Sequence, residues 1–311
     1  MNGAQSLFKA LTDAGLDTCF ANPGTSEMQL VYEMGRSDEV RPVLCLQENV
    51  VTGAADGYAR MAGKPAFTLL HVGSGFANGI ANLHNAGRAN TPVVNVVGAN
   101  ATYHQPNFPE HELIGGKITD LARSVSHWTR EAKSASELAM LGAEAARTAM
   151  MGSGRICTLI APTNCHWDPA PGAPLIDTAV TTPRVSSDTV AAVVERLAGG
   201  RRTGILLGAH ALHAEGLELA GKIAATTGAT LLGETFPARM ARGEGAVSVQ
   251  LVPYFLEMAQ QFFAQFEQII LVGALPPVST FAYQGSPTSK VPTGCEVFTF
   301  ASPDHDVVAA L

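Results

Sequence analysis

Residues 41–60 read RPVLCLQENVVTGAADGYAR. Val43, Leu44, Cys45 and Leu46 are apolar strand formers, and Glu48 follows them almost at once. Behind it, Gly53, Ala54, Ala55, Gly57 and Ala59 make a segment too small-sided for an ordinary surface helix. A strand running straight into a helix is one βα unit, and in an open α/β sheet ligands bind outside the carboxyl ends of the strands. A lone carboxylic acid at that edge, walled by apolar side chains, suits donation of a proton to a ring nitrogen. The competing reading of Glu48 is a helix-start carboxylate stabilised by the helix dipole. The small-sided segment is expected to pack on its twin in another subunit, because Gly and Ala let helices approach, and that predicts a dimer.

The alternation continues on both sides of this stretch. MNGAQSLFKALTDAGL reads as an amphipathic helix with Leu7, Ala10, Leu11 and Ala14 on one face. Strands are expected at Thr18–Ala21, Val43–Gln47, Ala66–His71, Val93–Val97, Ser126–Arg130 and Ile156–Ile160. Ser134 and Glu137 read as a capping box that opens a helix running to Met151. Pro169, Pro171, Pro174 and Pro183 then interrupt all periodicity. From Ser187 the pattern resumes: a helix Val190–Ala198, a strand Gly204–Leu207, a Gly208–His210 turn, a helix Leu212–Ala225, and strands Ile269–Val272 and Val297–Phe300. The expected fold class is α/β, two doubly wound Rossmann-like domains with mainly parallel sheets. The domains are placed at 1–168 and 187–311, with a linker at 169–186.

Composition narrows the partners. A hydrophobic share of 46% against 15% charged residues excludes a disordered chain. The net charge of -7 argues against nucleic acid or an anionic membrane as partner. Five cysteines without a CxxC pair suggest a reducing compartment, with Cys19, Cys45 and Cys157 as small core residues. The N-terminus lacks a signal-peptide layout, and no apolar run approaches the roughly 18 residues of a membrane span. A soluble, cytoplasmic protein is expected.

Two further stretches carry candidate chemistry. AFTLLHVGSGFANG, residues 66–79, delivers His71 at a strand end, then Gly73, Gly75, Asn78 and Gly79 around a turn into a helix. The glycines allow close approach of a ligand or a neighbouring backbone. Their spacing resembles a dinucleotide fingerprint but is one residue too long at its second gap, and the next strand, VVNVVG, ends without an acidic ribose partner. CFANPGTSE, residues 19–27, places Gly24, Thr25 and Ser26 at a helix start, a wall for a polar ligand group. The competing reading of His71 is a satisfied core histidine at the end of a buried strand, and Gly75 and Asn78 are equally readable as packing residues. His104 and His111, with Glu110 and Glu112, look like metal ligands but lack tight spacing, so a lid or interface is expected and no metal site.

In order, NPGTSE, LQENVVTGAADGYARMAGKPA and GSGFANGIANLHNAGRANTPVVNVVG resemble the pyrimidine-binding domain of thiamine-diphosphate enzymes, in the acetolactate synthase and benzoylformate decarboxylase group. The resemblance covers about residues 1–165, and residues 187–311 look like that group's central domain. It implies that Glu48 is catalytic and hydrogen-bonds N1′ of the cofactor aminopyrimidine, promoting loss of the thiazolium C2 proton. It places Gly24, Gly75 and Asn78 by the cofactor, His71 among the catalytic residues, and Thr25 with His71 against a 2-oxo acid substrate. The implied activity is 2-oxo acid decarboxylation or carboligation, by a homodimer or homotetramer.

The sequence departs from that group in one respect. The group's diphosphate-binding domain carries a Gly-Asp-Gly segment and an Asn that hold Mg²⁺ and the diphosphate. No Gly-Asp-Gly exists here, and Ala55-Asp56-Gly57 belongs to the pyrimidine-domain stretch. Mg²⁺ is therefore expected only through an absent domain, and the chain alone is expected to be inactive. Three explanations stand: a truncated enzyme, one subunit of a split enzyme, or a catalytically silent relative. A non-catalytic nucleotide-binding or regulatory module, using Gly208–His210 or the GSGFANG turn, is the alternative of a different class.

Overall fold

The strand Val93–Ala99 is buried at every position, as a parallel strand covered by helices on both faces must be. The computed structural model describes residues 1–104, 113–172 and 180–311, and the chain divides into two units, Met1–Thr181 and Thr182–Leu311. The first unit runs α1 (Gly3–Asp13), β1 (Thr18–Asn22), α2 (Met28–Met34), β2 (Arg41–Leu44), α3 (Glu48–Ala62), β3 (Ala66–Leu70), α4 (Val72–Arg88), β4 (Val93–Ala99), α5 (Ile118–Arg123), β5 (Trp128–Glu131), α6 (Ala135–Ala149), β6 (Ile156–Pro162) and α7 (Thr163–Trp167). Its sheet has the order β2-β1-β3-β4-β6-β5, with every neighbouring pair parallel. Leu7 and Leu11 of α1 and Leu138 and Leu141 of α6 share a core on one face. Val51 of α3, Phe76 and Leu83 of α4 and Ile118 of α5 share the other. Each such fully buried side chain contributes about 1.5–3 kcal/mol.

Local chemistry sets the element ends. Asn2 accepts from the Gln5 N–H at 2.9 Å while the Gln5 side chain accepts from the Asn2 N–H at 3.1 Å, a capping box that starts α1. Gly63, at φ 67°, takes the left-handed position that ends α3. Inside the sheet, Asn95 of β4 is fully buried, accepting from Thr68 at 2.9 Å and donating to Thr158 at 3.1 Å. That polar row is satisfied, and it pins the register of β3, β4 and β6.

The second unit runs α8 (Ser187–Ala198), β7 (Thr203–Leu207), α9 (Ala214–Thr227), β8 (Thr230–Gly233), β9 (Gln250–Leu251), α10 (Leu256–Phe263), β10 (Gln268–Val272), β11 (Glu296–Ala301) and α11 (Val307–Ala310). Its order, β11-β10-β7-β8-β9, is again parallel throughout. The expected α/β class with two doubly wound, parallel sheets is the class observed. Among the described residues no helix is long and apolar enough to cross a membrane.

Several local expectations change. The strand expected at Val43–Gln47 is the edge strand Arg41–Leu44, with Leu44 73% and Leu46 91% exposed. Cys45 turns inward, its N–H donating to the Ala21 carbonyl at 2.9 Å, and pairing ends there. The walls near Glu48 are thus less apolar than the letters imply. Within the chain, α3 and α4 approach closely: a Cβ on Gly53 would stand 2.8 Å from Asn82 Nδ2, and one on Gly79 of α4 2.8 Å from Thr52. Beside Gly57 of α3, its own helix apart, no atom of the described residues comes within 4 Å of an added Cβ. β8 and β9 were not expected, being too short to show a period. Glu110, His111, Glu112 and Pro174 lie outside the described residues.

Candidate active site

From β1 the chain passes to β2 on one side and returns to β3 on the other, so the order reverses between β1 and β3. Such a reversal opens a crevice at the carboxyl ends of the two strands. Asn22 of β1 pairs in register with Leu70 of β3. Gly24-Thr25 and His71 therefore leave the sheet side by side. Asn22 Nδ2 also donates to the Cys45 carbonyl at 2.7 Å, which ties the loop leading to Glu48 to the same edge.

Glu48 is the half-buried first residue of α3, behind Gln47, whose side chain accepts from the Val50 N–H at 3.2 Å. Asn78 Nδ2 donates to Glu48 Oε2 at 3.2 Å. Oε1 has no hydrogen-bond partner among the described residues. A Cβ on Gly75 would stand 2.9 Å from that Oε1 and 3.3 Å from His71 Cβ. The missing side chain of Gly75 is thus the gap between the two groups. His71 sits on a sharp turn from β3 into α4. Val72, next in the chain, has φ 39°, a left-handed value that β-branched residues avoid and that stores about 1–3 kcal/mol.

Glu27, which the sequence did not single out, is fully buried beneath this turn. Its Oε2 accepts from the Gly24 N–H at 2.7 Å and lies 2.8 Å from His71 Nδ1. Its Oε1 is buried without a hydrogen-bond partner among the described residues. A Cβ on Gly98 would stand 1.6 Å from that Oε1, and a Cβ on Gly24 2.4 Å from His71 Nδ1. Carboxylate and ring occupy volumes that only glycine leaves open. The Gly24-Thr25-Ser26-Glu27 spacing is a capping-box signal; it marks a helix start and is silent about the histidine.

The structure therefore brings Glu48, Gly75, His71 and Asn78 together directly, and Gly24 through the His71 ring. Thr25 is exposed one residue beyond Gly24, and its side chain makes no hydrogen bond among the described residues. His104 is exposed in the short turn Thr102–His104. Among the described residues no group of three His, Cys, Asp or Glu is placed to hold a metal ion.

In the second unit the order reverses between β7 and β10, where Gly208 lies. A Cβ there would stand 2.5 Å from the Gly273 carbonyl and 2.8 Å from Glu234 Cδ, so the space beside it is taken by the chain's own atoms. Burial pushes the Glu234 carboxyl up to about 7. Burial, then His210 and Arg239, push His213 down to about 4.

Residues 1–121 match the family described as "Thiamine pyrophosphate enzyme, N-terminal TPP binding domain". A Mycobacterium tuberculosis protein bearing the name of an acetolactate synthase large subunit is 44% identical over 314 residues, which takes in 100% of this chain and 60% of that protein. A Pseudomonas aeruginosa benzoylformate decarboxylase is 27% identical over 303 residues, 93% of this chain and 54% of its own length. A solved Rhodococcus jostii RHA1 thiamine diphosphate-dependent 4-hydroxybenzoylformate decarboxylase superposes with a TM-score of 0.83 at 21% identity, over 100% of this chain and 58% of that one. That likeness is one of fold. The chain spans 60% or less of the length of these relatives.

Proposed function

We propose, for a chain whose first domain belongs to the thiamine-diphosphate-dependent enzyme family, that it forms the pyrimidine-binding side of a 2-oxo acid decarboxylase or acetolactate synthase-like carboligase. One observation carries the reading: Glu48 Oε1, with no hydrogen-bond partner among the described residues, faces the gap left by Gly75 at the carboxyl edge of the sheet. A flat heteroaromatic ring fits such a gap, and a carboxyl oxygen suits its ring nitrogen. Asn78 engages Oε2 and so leaves Oε1 to the ring, where Glu48 holds or passes a proton. Gly24 and Gly75 leave room for the cofactor, while His71 and Thr25 line the substrate side.

When bound, thiamine diphosphate supplies the carbon nucleophile and electron sink that 2-oxo acid decarboxylation requires. The chain has no Gly-Asp-Gly segment, so the diphosphate and Mg²⁺ are assigned to a further domain, in the same polypeptide or in a partner. A homodimer or homotetramer is part of the same reading. Leu44, Leu46 and Val50, exposed beside Glu48, support it, and sedimentation of the purified chain checks it.

With cofactor and Mg²⁺, the 311-residue chain is expected to decarboxylate neither pyruvate nor benzoylformate, and to do so once a diphosphate-binding domain is supplied. Turnover by the chain alone rejects the half-site assignment. No turnover of any 2-oxo acid by the completed assembly rejects the activity.

A further inference from the structure

We infer that Glu27 is a positioning residue for His71: it fixes the imidazole in the Nδ1–H tautomer and, through the Gly24 N–H, holds the Thr25 loop against the ring. The functional weight of this inference rests on the proposed role of His71; its geometry does not. The Gly24 amide can only donate, so Glu27 Oε2, at 2.7 Å, must accept from it. As a carboxylate, Glu27 has no proton to give, so Oε2 also accepts in the second contact, 2.8 Å from Nδ1, which puts the proton on Nδ1. In the neutral ring Nε2 is then the acceptor nitrogen, since the bond made by one ring nitrogen decides the state of the other.

The carboxylate has little freedom to do otherwise. Oε1 is sealed against Gly98, where a Cβ would stand 1.6 Å away. The Glu27 N–H donates to the Gly24 carbonyl at 3.3 Å. Thr163 Oγ1 lies 2.7 Å from Ala99 O and 3.2 Å from Ser26 O, its one proton directed to the nearer carbonyl or shared between the two, and so braces the preceding peptide. Strand β4, α7 and the turn after β1 therefore converge to hold one oxygen in one place. A group that served stability alone would need only to satisfy Gly24. The second contact, to a histidine poised on a strained turn, is what points to orientation of the ring.

The test is ¹⁵N NMR of the imidazole nitrogens in the full 311-residue chain, recorded above the ordinary imidazole titration range. His71 is assigned among the nine histidines by the resonances that disappear in His71→Gln. The expected result is a proton on Nδ1 in the wild type, retained in Glu27→Gln, whose amide oxygen can replace Oε2. In Glu27→Leu that preference is expected to be lost. A wild-type proton on Nε2, or an unchanged Nδ1–H signature in Glu27→Leu, overturns the inference. Should Glu27→Leu fail to fold, the wild-type and Glu27→Gln spectra still decide. No cofactor enters this measurement, so the expected tautomer, together with no turnover by the assembly completed with a diphosphate-binding domain, refutes the proposed function and leaves the positioning role intact.

Discussion

Gly98→Ala adds a single methyl group beside the buried carboxylate. Its Cβ would stand 1.6 Å from Glu27 Oε1, 2.4 Å from Cδ and 2.8 Å from Cγ. Ordinary contact between heavy atoms is about 3.5 Å, so the carboxyl must retreat by about 2 Å. Water offers no way out, because Glu27 is fully buried. Retreat sacrifices the contacts to Gly24 and His71, at 2.7 and 2.8 Å. Overpacking alone costs about 1–3 kcal/mol, and hydrogen bonds to charged groups about 1.5–3 kcal/mol each. The low ends together give about 4 kcal/mol, a large part of a total stability of about 5–15 kcal/mol. Both tryptophans, Trp128 and Trp167, lie in the first unit, so urea unfolding followed by tryptophan fluorescence reads the effect there. In a Glu27→Ala background the methyl meets open space, and its further effect is expected to fall below about 1 kcal/mol. A Gly98→Ala protein within about 1 kcal/mol of wild type, or an equal loss in both backgrounds, refutes the packing account.

Gly75→Ala places its Cβ 2.9 Å from Glu48 Oε1, the far end of a rotatable side chain; the gain in helix propensity, about 1 kcal/mol, offsets the crowding. Unfolding should therefore hardly change, while cofactor affinity of the completed enzyme, by calorimetric titration, drops at least about tenfold, or 1.4 kcal/mol. Burial pushes the fully buried His166 down to about 4 against its bond to the Ala161 carbonyl. A folded value below the unfolded one means the unfolded chain binds the extra proton, so stability is intact above pH 6.5 and falls toward pH 4, by roughly 3 kcal/mol at 1.36 kcal/mol per pH unit. His166→Gln should flatten that slope in a urea series from pH 7.5 to 4.5. Glu234 has the opposite sign: its folded value, raised to about 7 by burial, makes its contribution complete below pH 4.5 and lost as pH rises through 7. Glu234→Gln should therefore stabilise the second unit more at pH 8 than at pH 5, read by circular dichroism melts at the two pH values.

The alternation of strands and helices was legible because buried parallel strands such as β3, β4 and β6 read as apolar runs with one polar residue each. Glu48 at a strand's carboxyl end was legible for the same reason. The edge position of β2 was not: Val43 and Leu44 have the letters of a core strand, yet Val43 is only partly buried and Leu44 is exposed. That Gly53 of α3 lies against Asn82 of α4 was not legible, because the two lie 29 positions apart and meet only in the folded unit. Glu27 was missed because its partners, His71 and Gly98, lie 44 and 71 positions away. Spacing near Gly24 shows a helix start and no more. Asn95 was read as part of an apolar strand, since its Thr68 and Thr158 partners meet it only across the sheet.

The most direct measurement is hydrogen–deuterium exchange at C2 of thiamine diphosphate, bound to this chain combined with a diphosphate-binding domain, for wild type and Glu48→Gln. Loss of a positioned acid–base group predicts exchange slowed by about 10²–10⁴-fold in the variant, with the fold and cofactor binding retained. Equal exchange rates in the two proteins contradict the assignment of Glu48 and, with it, the thiamine-dependent function.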